Sequence, residues 1–560
     1  MPEYAEQDVF GCAQQEFTQI GEWLGGPEAA ALEHAGLEEG LQARGRELER
    51  LLLQAHLDLR AAREQRREDV TGPDGTAMTR AEKGHGRGLS TVFGPVTVSR
   101  IAYRAAGAGN VHPADAALNL PPGRHSHGLS RKIAAAAADL SFTRACAGVA
   151  AGTGSRLGKR QCQELTRQAA RDVAGFYAGR QPGPAPGKVL ALSADGKGIT
   201  VMASQMRPEW ARRARKNVPK QDGRLSRGEV RNRKRMAEVA AVFDVTPVPR
   251  TPQDIQGPRE EGIPREPGPQ TAGKWLTASI TDCAADVIAS AFAEAGRRDP
   301  ARERTWIALA DGNNHQIARI RKEAASRGVT ITILVDFIHV IEHLWTAAWC
   351  FFPEASPQAG PWVRDHATAI LTGGAAGARQ AAAAIRTQAA ATTALSKAKQ
   401  KDAAGIAAYL DSKAPYLGYP HALAQGWPIA TGVIEGACRH IVKDRFDITG
   451  ARWCLDTAEA ILKLRTVHAN GDLDDYWAYH LQQERQRNYG PTALPSLQKS
   501  RTREPSTSPG RQHRPYRPAS VRDARHSACR SGRAFALPDI EHVPSQWLAH
   551  RPDHRVCTAA

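Results

Sequence analysis

Three short apolar runs, each closed by an aspartate, constrain this chain more than any other feature. Val189-Leu190-Ala191-Leu192-Ser193-Ala194 ends at Asp195 and is followed by Gly196-Lys197-Gly198; Trp306-Ile307-Ala308-Leu309-Ala310 ends at Asp311 and is followed by Gly312; residues 329–335 end at Asp336. Nearly all-apolar runs of this length read as strands buried on both faces, which need helices on either side of their sheet. Helical patterns at 284–296 and 315–326 alternate with them, and further strands are expected at 239–245 and 274–280. The fold class is therefore α/β, a mixed sheet flanked by helices. Glu435, in Gly432-Val433-Ile434-Glu435-Gly436-Ala437-Cys438-Arg439-His440, opens a helical pattern that runs over 433–468. Two strand-end aspartates and a helical glutamate are hard oxygen donors. Such a set can hold a pair of Mg²⁺ (or Mn²⁺) ions, an arrangement that cuts and rejoins phosphodiesters.

Each carboxylate also has a plainer reading. Asp-Gly at a strand end is a common turn, and a glutamate in a first helical turn complements the helix dipole. Their joint order in one α/β chain is what points to metal-dependent chemistry. Asp336 also closes an apolar strand and so competes with Asp311 for the second metal position. His339 and His343 lie four apart on one helix face, a spacing that can bind zinc. Glu342, however, precedes the second histidine instead of following the first, so this is not the H-E-x-x-H pattern. His339 is read instead as a hydrogen-bonding group of the site, or both histidines as packed polar residues.

The chain has 560 residues, room for two to four domains. Lys and Arg outnumber Asp and Glu by 75 − 58 = 17, which favours a polyanionic partner, nucleic acid foremost, over a merely solvated basic surface. Nine scattered cysteines without a C-x-x-C read as reduced thiols in a cytoplasmic protein. No signal-peptide core is read at the N-terminus and no membrane span is expected. Along the chain, 1–84 reads as a helical region. Residues 85–180 read as a β-hairpin around Gly94-Pro95 followed by three helical patches spaced like a helix-turn-helix, with an ordinary helical bundle as the alternative. A Pro/Gly linker at 181–187 precedes the α/β region of 188–344. Residues 345–430 are Ala-rich and helical, 431–483 carry the glutamate helix, and 484–560 form a basic tail expected to lack order. Between Arg212 and Arg235 stand eleven Lys and Arg residues. Arg212, Arg213, Arg215, Lys216, Arg231, Arg233, Lys234 and Arg235 are the candidate nucleic-acid contacts.

Four segments together resemble the ISKra-type family of bacterial insertion-sequence transposases: Leu192–Gly198, Asp311-Gly312-Asn313-Asn314-His315-Gln316, Asp336–Trp345 and Gly432–His440. Thr91–Val96, Leu118–Pro122 and Gly450–Trp453 are also similar to that family, and the resemblance runs from about residue 85 to 485. It implies a DDE transposase with an RNase H-like core split by an all-helical insertion at 345–430. It further implies Asp195 as the first catalytic aspartate, Asp311 as the second, Glu435 as the glutamate, and Asp336 and His339 as assisting residues. Metal-dependent cleavage of double-stranded DNA at element ends, strand transfer into a target, and self-association on DNA are the expected activity and partners, in a cytoplasmic, nucleoid-associated bacterial protein. The basic tail has no place in the resemblance. Two rival readings remain: an RNase H-like nuclease without strand transfer, and an inactive DNA-binding derivative.

Overall fold

A computed structural model describes residues 9–181, 187–206, 208, 212, 234–256, 268–448 and 451–490. Its chain divides into two compact units, one of residues 1–180 with 456–526 and one of 181–455 with 527–560.

The first unit opens with helices α1 (Gly11–Gly25) and α2 (His34–Ala62), followed by the antiparallel hairpin β1 (Arg80–Thr91) and β2 (Gly94–Arg104). The turn itself is Val92-Phe93, and β1 starts earlier than its apolar residues suggest. Leu57 of α2 packs with Leu89, Val96 and Val98 of the hairpin and with Leu120, giving the strands a buried face. Helices α3 (His127–Asp139), α4 (Phe142–Thr153) and α5 (Lys159–Ala170) then follow with short breaks, and α6 (Val173–Gly179) after them. Two serines start this series: Ser126 Oγ accepts from Leu129 N at 3.2 Å and Ser141 Oγ from Arg144 N at 3.3 Å, satisfying amides that a helix leaves unpaired at its N-terminus.

The second unit is built on a five-stranded sheet of β3 (Val189–Thr200), β4 (Lys234–Thr246), β5 (Gln270–Ser279), β6 (Thr305–Ala310) and β7 (Ile331–Val335). The order across the sheet is β5-β4-β3-β6-β7; β3, β4 and β5 pair antiparallel, whereas β6 runs parallel to β3 and β7 parallel to β6. Val189 to Leu192 and Trp306 to Ala310 are all buried, as central strands covered on both faces must be. Helix α7 (Ala284–Arg298) covers the sheet with Val287, Ile288, Ala291, Phe292 and Ala295, a stripe at helical spacing. Helices α8 (Asn314–Ser326) and α9 (Phe337–Phe351) follow β6 and β7.

One expectation is corrected here. Strand β3 does not stop at Asp195 but continues through Gly196-Lys197-Gly198 to Thr200, because β4 pairs with it that far, up to Thr200 opposite Lys234. The apolar run marks where the strand is covered on both faces, and the antiparallel partner carries it further.

The Ala-rich region between α9 and the glutamate helix is helical as expected. Its longer helices are α10 (Ala359–Gly373), α11 (Ala375–Ala391) and α12 (Lys397–Lys413). Gly377, having no side chain, lets α10 and α11 approach so closely that a Cβ there would lie 1.9 Å from Ala369 O. Helix α13 (Gly432–Ala437) carries Glu435 and passes into a π-helical turn at Cys438–Lys443.

The last helices, α14 (Leu455–Ala469) and α15 (Leu473–Tyr489), pack largely with the first unit. Arg465 of α14 donates to Ala138 O at 2.7 Å, and Asp472 accepts from Tyr177 Oη at 3.0 Å. The glutamate helix and the stretch after 455, read as one region from sequence, therefore belong to different units. Helix α15 also continues past residue 484, the expected start of the tail; residues 491–560 lie outside the described residues. Among the described residues no helix is long and apolar enough to cross a membrane, and each described cysteine is a free thiol.

Candidate active site

The three sequence-predicted aspartates lie at the ends of the parallel ladders, in a row across β3, β6 and β7. Ser193–Leu309 and Ala310–Val335 are the last pairs; Asp311 and Asp336 follow them directly, and Asp195 lies near enough for the Asp311 charge to act on it. The ladder reaches this row, since Asp336 N donates to Ala310 O at 2.8 Å. The carboxyl ends of parallel strands are where open α/β sheets bind ligands. All three aspartates therefore gather at one edge of the sheet.

They are used differently. Asp336 is fully buried: Oδ1 caps α9 by accepting from Ile338 N at 2.8 Å, and Oδ2 accepts from the Thr431 hydroxyl and lies 3.4 Å from His339 Nδ1. Burial opposes its ionisation, but the His339 hydrogen bond and charge, with the Thr431 bond, hold it below the usual carboxylate range. Burial likewise opposes a charged His339, yet Asp336 overrides it and raises the imidazole to about 9, so the pair is ionic. Asp311 is half-buried; its Oδ1 accepts from Asn313 N at 2.9 Å across a turn that Gly312 makes at φ +91°. Asp195 accepts from Gly196 N at 2.7 Å and from the Cys438 thiol at 3.4 Å, and its pKa is pushed up by burial and by the charge of Asp311.

Glu435 reaches this row from α13. Its Oε1 lies 3.0 Å from the Thr431 hydroxyl that also bonds Asp336, and Asp336, His339 and Glu435 keep ligand atoms within 4.8 Å of one another. One hydroxyl proton cannot serve two carboxylates, and burial and the Asp336 charge raise the Glu435 pKa. Cys438, one helical turn beyond Glu435, touches Asp195, so α13 and its π-turn span from the Asp336 end of the row to the Asp195 end. Side chains that sequence reading did not single out complete the frame: Thr431, Cys438, and Gln316, whose amide donates to Ala194 O. Cys438 stands three residues after Glu435, a same-face spacing that was there to be used. Thr431 stands four residues before Glu435, directly ahead of its helix, and carried the same kind of signal.

The fit to a hard divalent cation rests on the donor set. Asp195, Asp311 and Glu435 offer hard carboxylate oxygens, but among the described residues the ligand atoms of this corner that lie within 4.8 Å of one another are those of Asp336, His339 and the exposed Glu435, without Asp195 or Asp311. Asp336 has its oxygens engaged by Ile338 N, the Thr431 hydroxyl and His339. His343 does not join His339 in a ligand group among the described residues; its ring lies against Tyr409, centroids 3.9 Å apart.

Of the basic candidates, Arg212 is exposed, and Lys234 and Arg235 begin β4 opposite Thr200 and Ile199, on the ribbon that β3 and β4 extend past Asp195. Arg213, Arg215, Lys216, Arg231 and Arg233 lie outside the described residues.

No family model matches this chain, and no curated protein does. Among solved structures, the Drosophila P element transposase strand transfer complex aligns over 64% of this chain and 81% of its own, with 10% identity and a TM-score of 0.20. A likeness of that size carries no argument about this chain.

Proposed function

We propose that this protein is a DDE transposase of the ISKra-type family, cleaving DNA at element ends and transferring the strand to a target. The observation that carries the reading is the aspartate row of β3, β6 and β7, with Glu435 brought against it by α13. The strand order β5-β4-β3-β6-β7, antiparallel on one side of β3 and parallel on the other, supports an RNase H-like core interrupted by a helical insertion between α9 and α13. Asp195, Asp311 and Glu435 would hold Mg²⁺ or Mn²⁺, which when bound supplies an activated oxygen nucleophile and charge stabilisation at the leaving oxygen. The protein's own part is positional: Asp336 and His339 lock the start of α9, and Thr431 and Cys438 tie α13 to the row. The excess of 17 positive charges and Lys234 and Arg235, opposite Thr200 and Ile199 at the far end of the ribbon that carries Asp195, favour a DNA backbone as substrate. Helices α3 to α5 would read the element ends, and self-association would bring two ends together.

The test is incubation of the purified protein with Mg²⁺ and labelled duplex bearing its own element's termini. End-specific cleavage and joined products are expected, lost by about a hundredfold or more in Asp195→Asn and Glu435→Gln with end binding retained. Binding without cleavage in the wild type would make the protein an inactive end-binder. Cleavage indifferent to end sequence would make it a nuclease.

A further inference from the structure

Helix α12 of the insertion ends at Lys413, which is 3% exposed. Its ammonium donates to Asn314 Oδ1 and lies 5.8 Å from the centre of the Tyr409 ring, and no carboxylate stands within ion-pair distance of it among the described residues. A buried cation without an ion pair is costly to keep. Burial lowers its pKa, and Asp311 is the negative charge near enough to oppose this. Tyr409, one turn earlier on the same helix, has a buried hydroxyl with no hydrogen-bond partner. That hydroxyl is packed over the turn after Asp311: a Cβ on Gly312 would lie 2.6 Å from it. Its ring rests on His343, so the hydroxyl is held in place. Lys413 reaches Asn314, the first residue of α8. The carboxylates of the row supply negative oxygens and no donors. Here the insertion supplies two donors without an anionic acceptor, next to one of those carboxylates.

We propose that Tyr409 and Lys413 bind a non-bridging oxygen of a DNA phosphodiester beside Asp311, so that the helical insertion completes the site. The inference rests on the reading of the aspartate row as a phosphodiester-processing site. It explains why a helix remote in sequence keeps there a cation without an ion pair and a phenol without a hydrogen-bond partner. It also gives Gly312 a second task, since any side chain at this position would displace the Tyr409 hydroxyl.

The test uses the full-length wild type, Lys413→Met and Tyr409→Phe. Melting temperatures are measured first in phosphate-free buffer, where Lys413→Met is expected to melt no lower than the wild type because an unpaired buried charge is gone. A clear drop would make Lys413 a structural counter-charge to Asp311 and overturn the proposal. Inorganic phosphate is then titrated in Mg²⁺ by calorimetry, with about tenfold weaker binding expected in Lys413→Met and a smaller loss in Tyr409→Phe. Equal affinity in all three proteins, or no phosphate binding by the wild type, would also overturn it. Neither readout depends on cleavage, so the subsite can fail while the transposase reading survives, and the reverse.

Discussion

Asp311 and Asp336 sit on neighbouring strands, yet they should respond to substitution in opposite ways. Asp336→Ala leaves the start of α9 uncapped and His339 without its partner, so a loss of about 3 kcal/mol is expected in denaturant unfolding. Asp311→Asn keeps an acceptor for Asn313 N and should shift stability by less than about 0.5 kcal/mol while abolishing cleavage. Full activity in Asp311→Asn would move the second ligand role to Asp336. The His339–Asp336 pair also sets a pH dependence for the metal-free protein. His339 has a folded pKa of about 9, above the ordinary 6.5. In this window the native state binds the extra proton, so the pair's stabilisation is complete below pH 6.5 and is lost as pH rises through about 9. Thermal melts in chelator should therefore fall over that range, on the order of 1–3 kcal/mol, and Asp336→Asn should flatten the slope. A slope unchanged by Asp336→Asn would place its origin elsewhere. Sequence reading named Asp195, Asp311 and Asp336 because each closes an apolar run, Glu435 because it opens a helical pattern, and His339 because it follows Asp336 at helical spacing. The spacing of Thr431 and Cys438 to Glu435 was legible, but not their contacts with Asp336 and Asp195, which are a property of packing.

At the scale of elements, the strands were legible wherever both faces are buried. Strand β6 extends its apolar run by one residue, Thr305, and α7 and α8 start within a residue of their sequence signals, α8 with Asn313 as its side-chain cap. The far half of β3 was illegible: glycine and lysine have no apolar period, and only pairing with β4 makes them strand. The insertion was recognisable as helical from its alanines. At Gly377 the space for a Cβ is already taken by Ala369 O, so Gly377→Ala should cost about 1–3 kcal/mol by forcing α10 and α11 apart. Chemical denaturation of that variant checks it; a neutral or stabilising effect, as helix propensity alone would give, would show that the contact relaxes freely.

Over the whole molecule, positive charge is the property most exposed to test. With Lys and Arg in excess by 75 − 58 = 17, DNA affinity should fall by about 10³-fold or more between 50 and 200 mM salt if several phosphates are engaged. A nearly flat salt response would confine contact to a few groups. Fold class, the helical insertion and the identity of the acidic residues were set by local pattern, since burial on both faces and helical period leave marks in the residues themselves. What only the tertiary structure decided was partnership: which aspartates share a row, which of them is committed to a histidine, how Glu435 reaches them, and that α14 and α15 join the first unit. Most of those outcomes depend on strand register and helix packing between residues distant in sequence, such as Asp195 and Cys438, and no local pattern encodes a distance.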